Sequence, residues 1–213
     1  MQIINQSPTD NSFVQNPYPF YAEARINGPM CFWRDYEMVS IFNYETVSSI
    51  LKDRRFGRER PSEMVRVIPP HVAPFYDVEA HSMLELEPPR HKRLRGLVLR
   101  AFTFRRIEAL GSEIDTLTRQ LIDEFSHDTI DLLPEFAAKI PIIIIARLLG
   151  VPESMADDLL KWSNDMVMMY QARRTRVHED RAVASTQEFV DFMRGYVEER
   201  RSKPADDLIT HLI

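Results

Sequence analysis

The stretch "IDLLPEFAAKIPIIIIARLLGV" at 130–151 most constrains how this chain can fold. At its centre it is apolar nearly all the way round. A helix of that kind has no face to offer water and has to lie among other helices. The apolar run itself is too short and too interrupted to span a bilayer. The neighbouring segments supply the covering helices. In "RRIEALGSEIDTLTRQLIDEF" (105–125), Ile107, Leu110, Ile114, Leu117, Leu121 and Phe125 recur at three- and four-residue spacing. Pro152 opens a further helix, and a long amphipathic one runs over 178–204 to the stop at Pro204. "ADDLITHLI" opens another, inside which the sequence ends. From Pro88 onward the chain reads as mainly α.

The N-terminal part is more mixed. Residues 1–16 read as an irregular arm, and 17–28 as a short helix closed by Asn27-Gly28 and Pro29. "MCFWRDYEMVSIF" alternates around Arg34-Asp35 and predicts a small β-hairpin over 30–42. Helical spacing returns through Val47, Ile50 and Leu51. Prolines at 61, 69, 70 and 74 make 57–80 a long loop with one short helical turn. Long loops inside compact domains are often functional. No repeat, low-complexity tract or clear linker interrupts the sequence, which predicts one domain over 1–213.

Charge and cysteine usage narrow the function. The formal net charge of −5 argues against a general nucleic-acid binder. Cys31 is the only cysteine, which excludes an internal disulfide and a cysteine-based zinc cluster. The start lacks a basic stretch followed by an apolar one, so no signal peptide is expected and the chain reads as cytoplasmic. The distribution of charge is uneven: between Pro88 and Ile107 there is no acid, while Arg90, Lys92, Arg93, Arg95, Arg100, Arg105 and Arg106 are all present.

Those cations lie on or beside a helix opened by two prolines, "EPPRHKRLRGLVLRAF" (87–102). Helical spacing stacks His91 above Arg95 on the same face as Leu94, Val98 and Phe102, which predicts a buried face. A buried guanidinium cannot escape by losing its proton and requires an anion. Two sources fit: a carboxylate from elsewhere in the chain, or a carboxylate or phosphate on a bound ligand. A metal site through Glu87 and His91 lacks a second pair to complete it.

The wider context carries a resemblance. "HSMLELEPPRHKRLRGLVLRAFTFRRI" resembles the C-helix region of bacterial cytochromes P450, whose pattern is M-L-x-x-D-P-P-x-H-x-x-L-R-x-x-V-x-x-A-F-T-P-R-x-I. "DLLPEFAAKIPIIIIARLLGVPESMADDLLKW" is similar to the family's E helix and the start of its F helix. "NPYPFYAEARINGPMCFW" resembles its A helix and first strands, and "DDLITHLI" the start of its H helix. The likeness covers essentially the whole chain, in family order. It implies a partial P450 fold, from the A helix to the G/H region, that is the N-terminal part of a single domain.

The resemblance implies that His91 and Arg95 bind haem propionates, with Met83, Leu84 and Phe102 packed near the porphyrin. It implies a ferredoxin-type electron donor docking on a surface that includes Lys92 and Arg93. In the intact enzyme it implies insertion of one oxygen atom from O2 into a small organic substrate. Segments 57–80 and 162–170 would line and cover the substrate pocket; the bland alternatives are a solvated loop and a core helix. Glu87 and Phe104 stand where aspartate and proline are usual. The family's acid-threonine pair and its Phe-x-x-Gly-x-x-x-Cys-x-Gly loop have no counterpart, and Cys31 has Ala24 and Asn27 where that loop needs Phe and Gly. Without the thiolate this chain alone is not expected to catalyse. The competing expectation is a non-catalytic, P450-derived helical binding module. A further expectation is that the apolar helix at 140–149 is left exposed and drives oligomer formation.

Overall fold

The computed structural model describes residues 1–64, 67–102, 104–171 and 173–213, and of Ser62, Ala101, Phe104, Arg105 and Arg106 the backbone alone. The expectations for the Arg105 and Arg106 side chains and for the Phe104 position therefore lie outside the described residues. The chain forms two compact units, 1–57 and 58–213.

The first unit is a three-stranded sheet with three helices. The predicted hairpin is present: β2 (Met30–Trp33) pairs antiparallel with β3 (Met38–Ile41), Met30 opposite Ile41. The 1–16 arm is more ordered than expected. Gln2–Ile4 forms a strand, β1, parallel to β2, and Asn11–Gln15 a one-turn helix, α1, whose cap Asp10 accepts from the Phe13 N–H at 3.0 Å. Trp33 explains the order, because its indole N–H donates to the Gln6 carbonyl over 2.6 Å. Around it Phe13, Phe20, Tyr21 and Phe42 pack on buried Ile4 and Cys31. The helices α2 (Tyr18–Ile26) and α3 (Tyr44–Lys52) stand where helical spacing places them.

The second unit is helical. The 57–80 segment departs from the expected loop, since a 3-10 turn at Pro70–Val72 leads into α4 (Ala73–Glu79). Pro74 lies in the first turn of α4, where its missing N–H leaves no bond unmade, so it starts the helix rather than breaking it. Val72 and Phe75 are buried against Met169 and Ala182. Next come α5 (Arg90–Ala101) and α6 (Phe104–Asp123). A π-turn at Leu133–Ala137 leads into α7 (Lys139–Leu149).

In α7, Ile142, Ile144 and Ala146 are buried, covered by α6, α8 (Ala156–Val167) and α10 (Leu208–Leu212). The expected exposed α7 surface is thus corrected: only Pro141 and Ile145 of its apolar stretch are open. Its C-terminus ends on Gly150 at φ +85°, a left-handed conformation that favours glycine. The long α9 (Arg176–Ser202) lies along α8, and its small residues Ala182, Ser185 and Thr186 permit close approach. Asp165 and Glu188 tie the two helices, the first accepting from Ser185 and the second from Trp162.

Beneath Gly150 a buried polar knot fixes α10. Arg200 pairs with Asp207 at 2.6 Å and donates to the Gly150 carbonyl, which also accepts from the Tyr196 hydroxyl. Asp207 caps α10 by accepting from the Thr210 N–H at 2.7 Å. Burial alone would push the Asp207 carboxyl up. The Thr210 donors and the Arg200 guanidinium outweigh it and hold the carboxyl below the usual range.

Candidate functional site

Helix α5 is set by its entry. The Arg58 N–H donates to the Glu87 carboxylate, and the Glu87 N–H donates to Glu59 Oε1 at 2.9 Å. Arg58 also pairs with Glu85 at 3.0 Å and donates to the Leu84 carbonyl. Glu87 therefore anchors the segment at 58–59 to the start of the helix. Its carboxylate is engaged there, and among the described residues no group of three or more His, Cys, Asp or Glu could hold a metal ion. A carboxylate suits this role whether it is Asp or Glu, so the departure at Glu87 leaves the helix entry intact.

The predicted face is present but not buried. His91, Leu94, Val98 and Phe102 are half-buried, and Arg95 is exposed. The helical register is as the spacing predicts, and the face is only partly covered; α5 meets α10 and the turn at Met83–Glu85. Met83 is half-buried and Leu84 is 53% exposed. Lys92, Arg93 and Arg100 are exposed. Among the described residues neither the His91 nor the Arg95 side chain has a hydrogen-bond or ion-pair partner. Among the described residues no carboxylate of this chain meets the pair. What remains is a pair of N–H donors one turn apart, next to open apolar surface at Leu84 and Leu99.

That donor set fits the carboxylate edge of a haem: imidazole and guanidinium donate only to acceptors, and a planar fork matches a carboxylate. The fit ends at that edge. Cys31 is 3% exposed inside the sheet of the first unit, where burial pushes its thiol pKa up and disfavours the thiolate a metal needs. The residues present could hold the propionates and the porphyrin rim, and none supplies an iron thiolate.

The methionine-rich segment at 162–170 divides between the two readings. Trp162 and Met169 are buried in the two cores of this region and Met166 packs beside the second, as a core helix requires. Val167 and Tyr170 remain exposed. Sequence reasoning missed two links from this region to 70–79. His71 Nε2 lies 2.8 Å from Glu179, which Arg174 also reaches at 3.0 Å, and the Tyr170 hydroxyl donates to Glu79 at 2.7 Å. Burial first, then Glu79, pushes the Tyr170 pKa up. No local pattern signals contacts between residues 108 and 91 positions apart.

No protein-family model matches the chain. Individual relatives do. It is 32% identical over 212 residues to 6-deoxyerythronolide B hydroxylase of Saccharopolyspora erythraea, covering 95% of this chain and 51% of the relative. To the polyketide biosynthesis cytochrome P450 PksS of Bacillus subtilis it is 30% identical, covering 97% and 52%. The crystal structure of P450BioI, solved with a hexadec-9Z-enoic acid-ligated acyl carrier protein, superposes with a TM-score of 0.86 at 25% identity over 95% of this chain and 53% of that one. Helix content, the small sheet and the superposition define the class as a partial cytochrome P450 fold. The chain matches bacterial cytochromes P450 as an N-terminal half, and spans about half the length of the curated relatives it matches.

Proposed function

We propose that this chain is the propionate-binding and substrate-covering half of a haem-thiolate monooxygenase. The observation that carries the reading is the His91–Arg95 pair, without a partner among the described residues, on an acid-free helix bordered by open apolar side chains. Both residues would hold haem carboxylates, while Met83, Leu84 and Phe102 would pack against the porphyrin. When bound with a cysteine ligand from the remainder of the fold, haem supplies the chemistry that activates O2 for insertion of one oxygen atom. This chain's own part is to bind and orient the cofactor and to keep water from the substrate.

The substrate on this reading is a small to medium apolar organic molecule. The names of the relatives, a deoxyerythronolide hydroxylase and a polyketide-biosynthesis P450, favour the polyketide type. Exposed Lys92 and Arg93 suit the docking of an acidic ferredoxin through charge complementarity. The single reduced cysteine suits the cytoplasm. Among the described residues no helix is long and apolar enough to cross a membrane. The α5–α6 side would pack against the rest of the fold, and alone it would drive self-association. A stand-alone binding module would instead carry polar residues there, and Leu99, Ile107 and Ile114 are exposed apolar ones.

The test is co-expression with the cysteine-bearing half of a bacterial relative, followed by the absorption spectrum of the reduced, carbon monoxide-treated complex. A Soret band at the thiolate-haem position is expected. A complex that forms without haem, or with the band of histidine ligation, overturns the proposal.

A further inference from the structure

The start of α9 is built on a histidine. Thr175 holds the N-cap position, and His178 stands three residues on. The two form a reciprocal capping box: the Thr175 hydroxyl oxygen accepts from the His178 N–H, and the Thr175 N–H donates to His178 Nδ1 at 3.1 Å. The acceptor at this third helical position is ordinarily a Glu or Gln oxygen, which accepts throughout the neutral pH range. An imidazole nitrogen accepts only while it keeps its lone pair. Because a backbone N–H can only donate, Nδ1 is unprotonated here and the ring proton sits on Nε2. A proton on Nδ1 could turn to the Thr175 hydroxyl, 3.3 Å away, but would leave the Thr175 N–H without an acceptor. It would also put a cation at the positive end of the helix.

We propose that this capping box is a pH-sensitive start to α9: it is closed while His178 is neutral and opens, fraying the first turn, when the ring is protonated. The loss falls in roughly the pH 5 to 8 range where an imidazole changes charge. It is a property of this chain and needs no haem. Within the segment itself Arg174 pairs with Glu179, Arg176 pairs with Asp180, and Arg181 is exposed. From the elements packed on α9, His71 of the 70–72 turn faces Glu179, and Glu79 of α4 takes the Tyr170 hydroxyl. Lys161 and Asp165 of α8 meet Glu188 and Ser185, and Asp207 of α10 meets Arg200 at the far end of the helix. Asp77 of α4 and Asp157 and Asp158 of α8 are exposed. Among the described residues the His178 ring is bonded to Thr175 and to none of these groups. Two neighbours also titrate, with different signatures. Protonating His71 strengthens its bond to Glu179, which is the opposite sign. His71 and then Arg174 hold the Glu179 carboxyl below the usual range, burial opposing them, so its own loss falls at lower pH.

An NMR titration of the full, isotope-labelled chain over that pH range tests this, with His178→Gln and His178→Ala as variants. The first keeps an acceptor that does not titrate; the second removes the acceptor. In the unmutated chain the helical Cα shifts of residues 176–179 and the Thr175 amide resonance are expected to move with the His178 ring resonances through one midpoint, the helical shifts being lost on the acid side. In His178→Gln they should hold at both ends of the range, and in His178→Ala they should be diminished at both. Helical shifts that stay constant in the unmutated chain while the His178 ring titrates overturn the proposal. So does the same pH dependence in His178→Gln, or full helical shifts in His178→Ala. Because the readout uses no haem, failure of the monooxygenase reading leaves this result unaffected, and failure of the cap leaves the haem test unaffected.

Discussion

The α7–α8–α9 end and the α5–α6 end of the second unit are built from similar amphipathic helices but finished differently. At the first end the helices bury a shared apolar core and several of their charges are paired. Ala146 and Ala182 are fully buried, Asp207 meets Arg200, and Glu188 meets both Lys161 and Trp162. At the other end α6 buries Leu117 and Leu121, while Ile107 and Ile114, earlier on the same stripe, are 46% and 38% exposed. Beside them α5 leaves Leu99 open and its His91–Arg95 pair without a partner among the described residues. The same periodicity thus yields a closed core where this chain supplies the neighbours and an open face where it does not. Stability resides at the closed end, and the function proposed for the chain at the open one.

Substitutions should separate the two ends. The largest effect is expected from Gly150→Ala at the closed end. A Cβ there would collide with the Asp207 side chain, and the left-handed φ is unfavourable for alanine. The combined cost is about 3 kcal/mol or more by chemical denaturation. Asp207→Asn comes next. It keeps an acceptor for Thr210 but leaves Arg200 facing a neutral group, at a cost of about 2 kcal/mol. Because the folded Asp207 value lies below the unfolded one, its contribution is complete above the ordinary carboxylate range and is lost as pH falls through the folded value. Denaturation midpoints across acidic pH should fall less steeply in the Asn variant.

Much of this organisation was legible in the sequence, for physical reasons. Stripes such as Leu110–Leu117–Leu121 repeat often enough to fix a helix and its inner face. Asn27-Gly28 and Pro204 mark ends that the backbone obeys. Strand β1 was not legible, because three residues are too few to show alternation and its order depends on Trp33 holding Gln6. Helix α4 was hidden because Pro74, counted as a breaker, occupies a first-turn position. At the candidate site, the register of His91 and Arg95 was legible and the exposure of Arg95 was not. Periodicity shows which residues share a face and is silent on what covers it. The His71–Glu179 and Tyr170–Glu79 contacts join residues too distant for any local pattern.

At the open end the effects on stability should be small. Ile107→Gln and Ile114→Gln are expected to change the unfolding free energy of the chain alone by less than about 0.5 kcal/mol. They should reduce self-association in sedimentation experiments. His91→Gln and Arg95→Gln are expected to be smaller still, since neither side chain is bonded within the described structure. Equivalent changes at the closed end should unfold the chain rather than solubilise it.

The central claim is that His91 and Arg95 hold the carboxylates of a haem shared with the rest of the fold. The direct measurement is haem affinity of the chain assembled with the cysteine-bearing half of a relative, using haem and its dimethyl ester in parallel. The account predicts that the free acid binds more tightly than the ester, and that His91→Gln with Arg95→Gln erases the difference. Equal affinity of the unmutated assembly for acid and ester would contradict it.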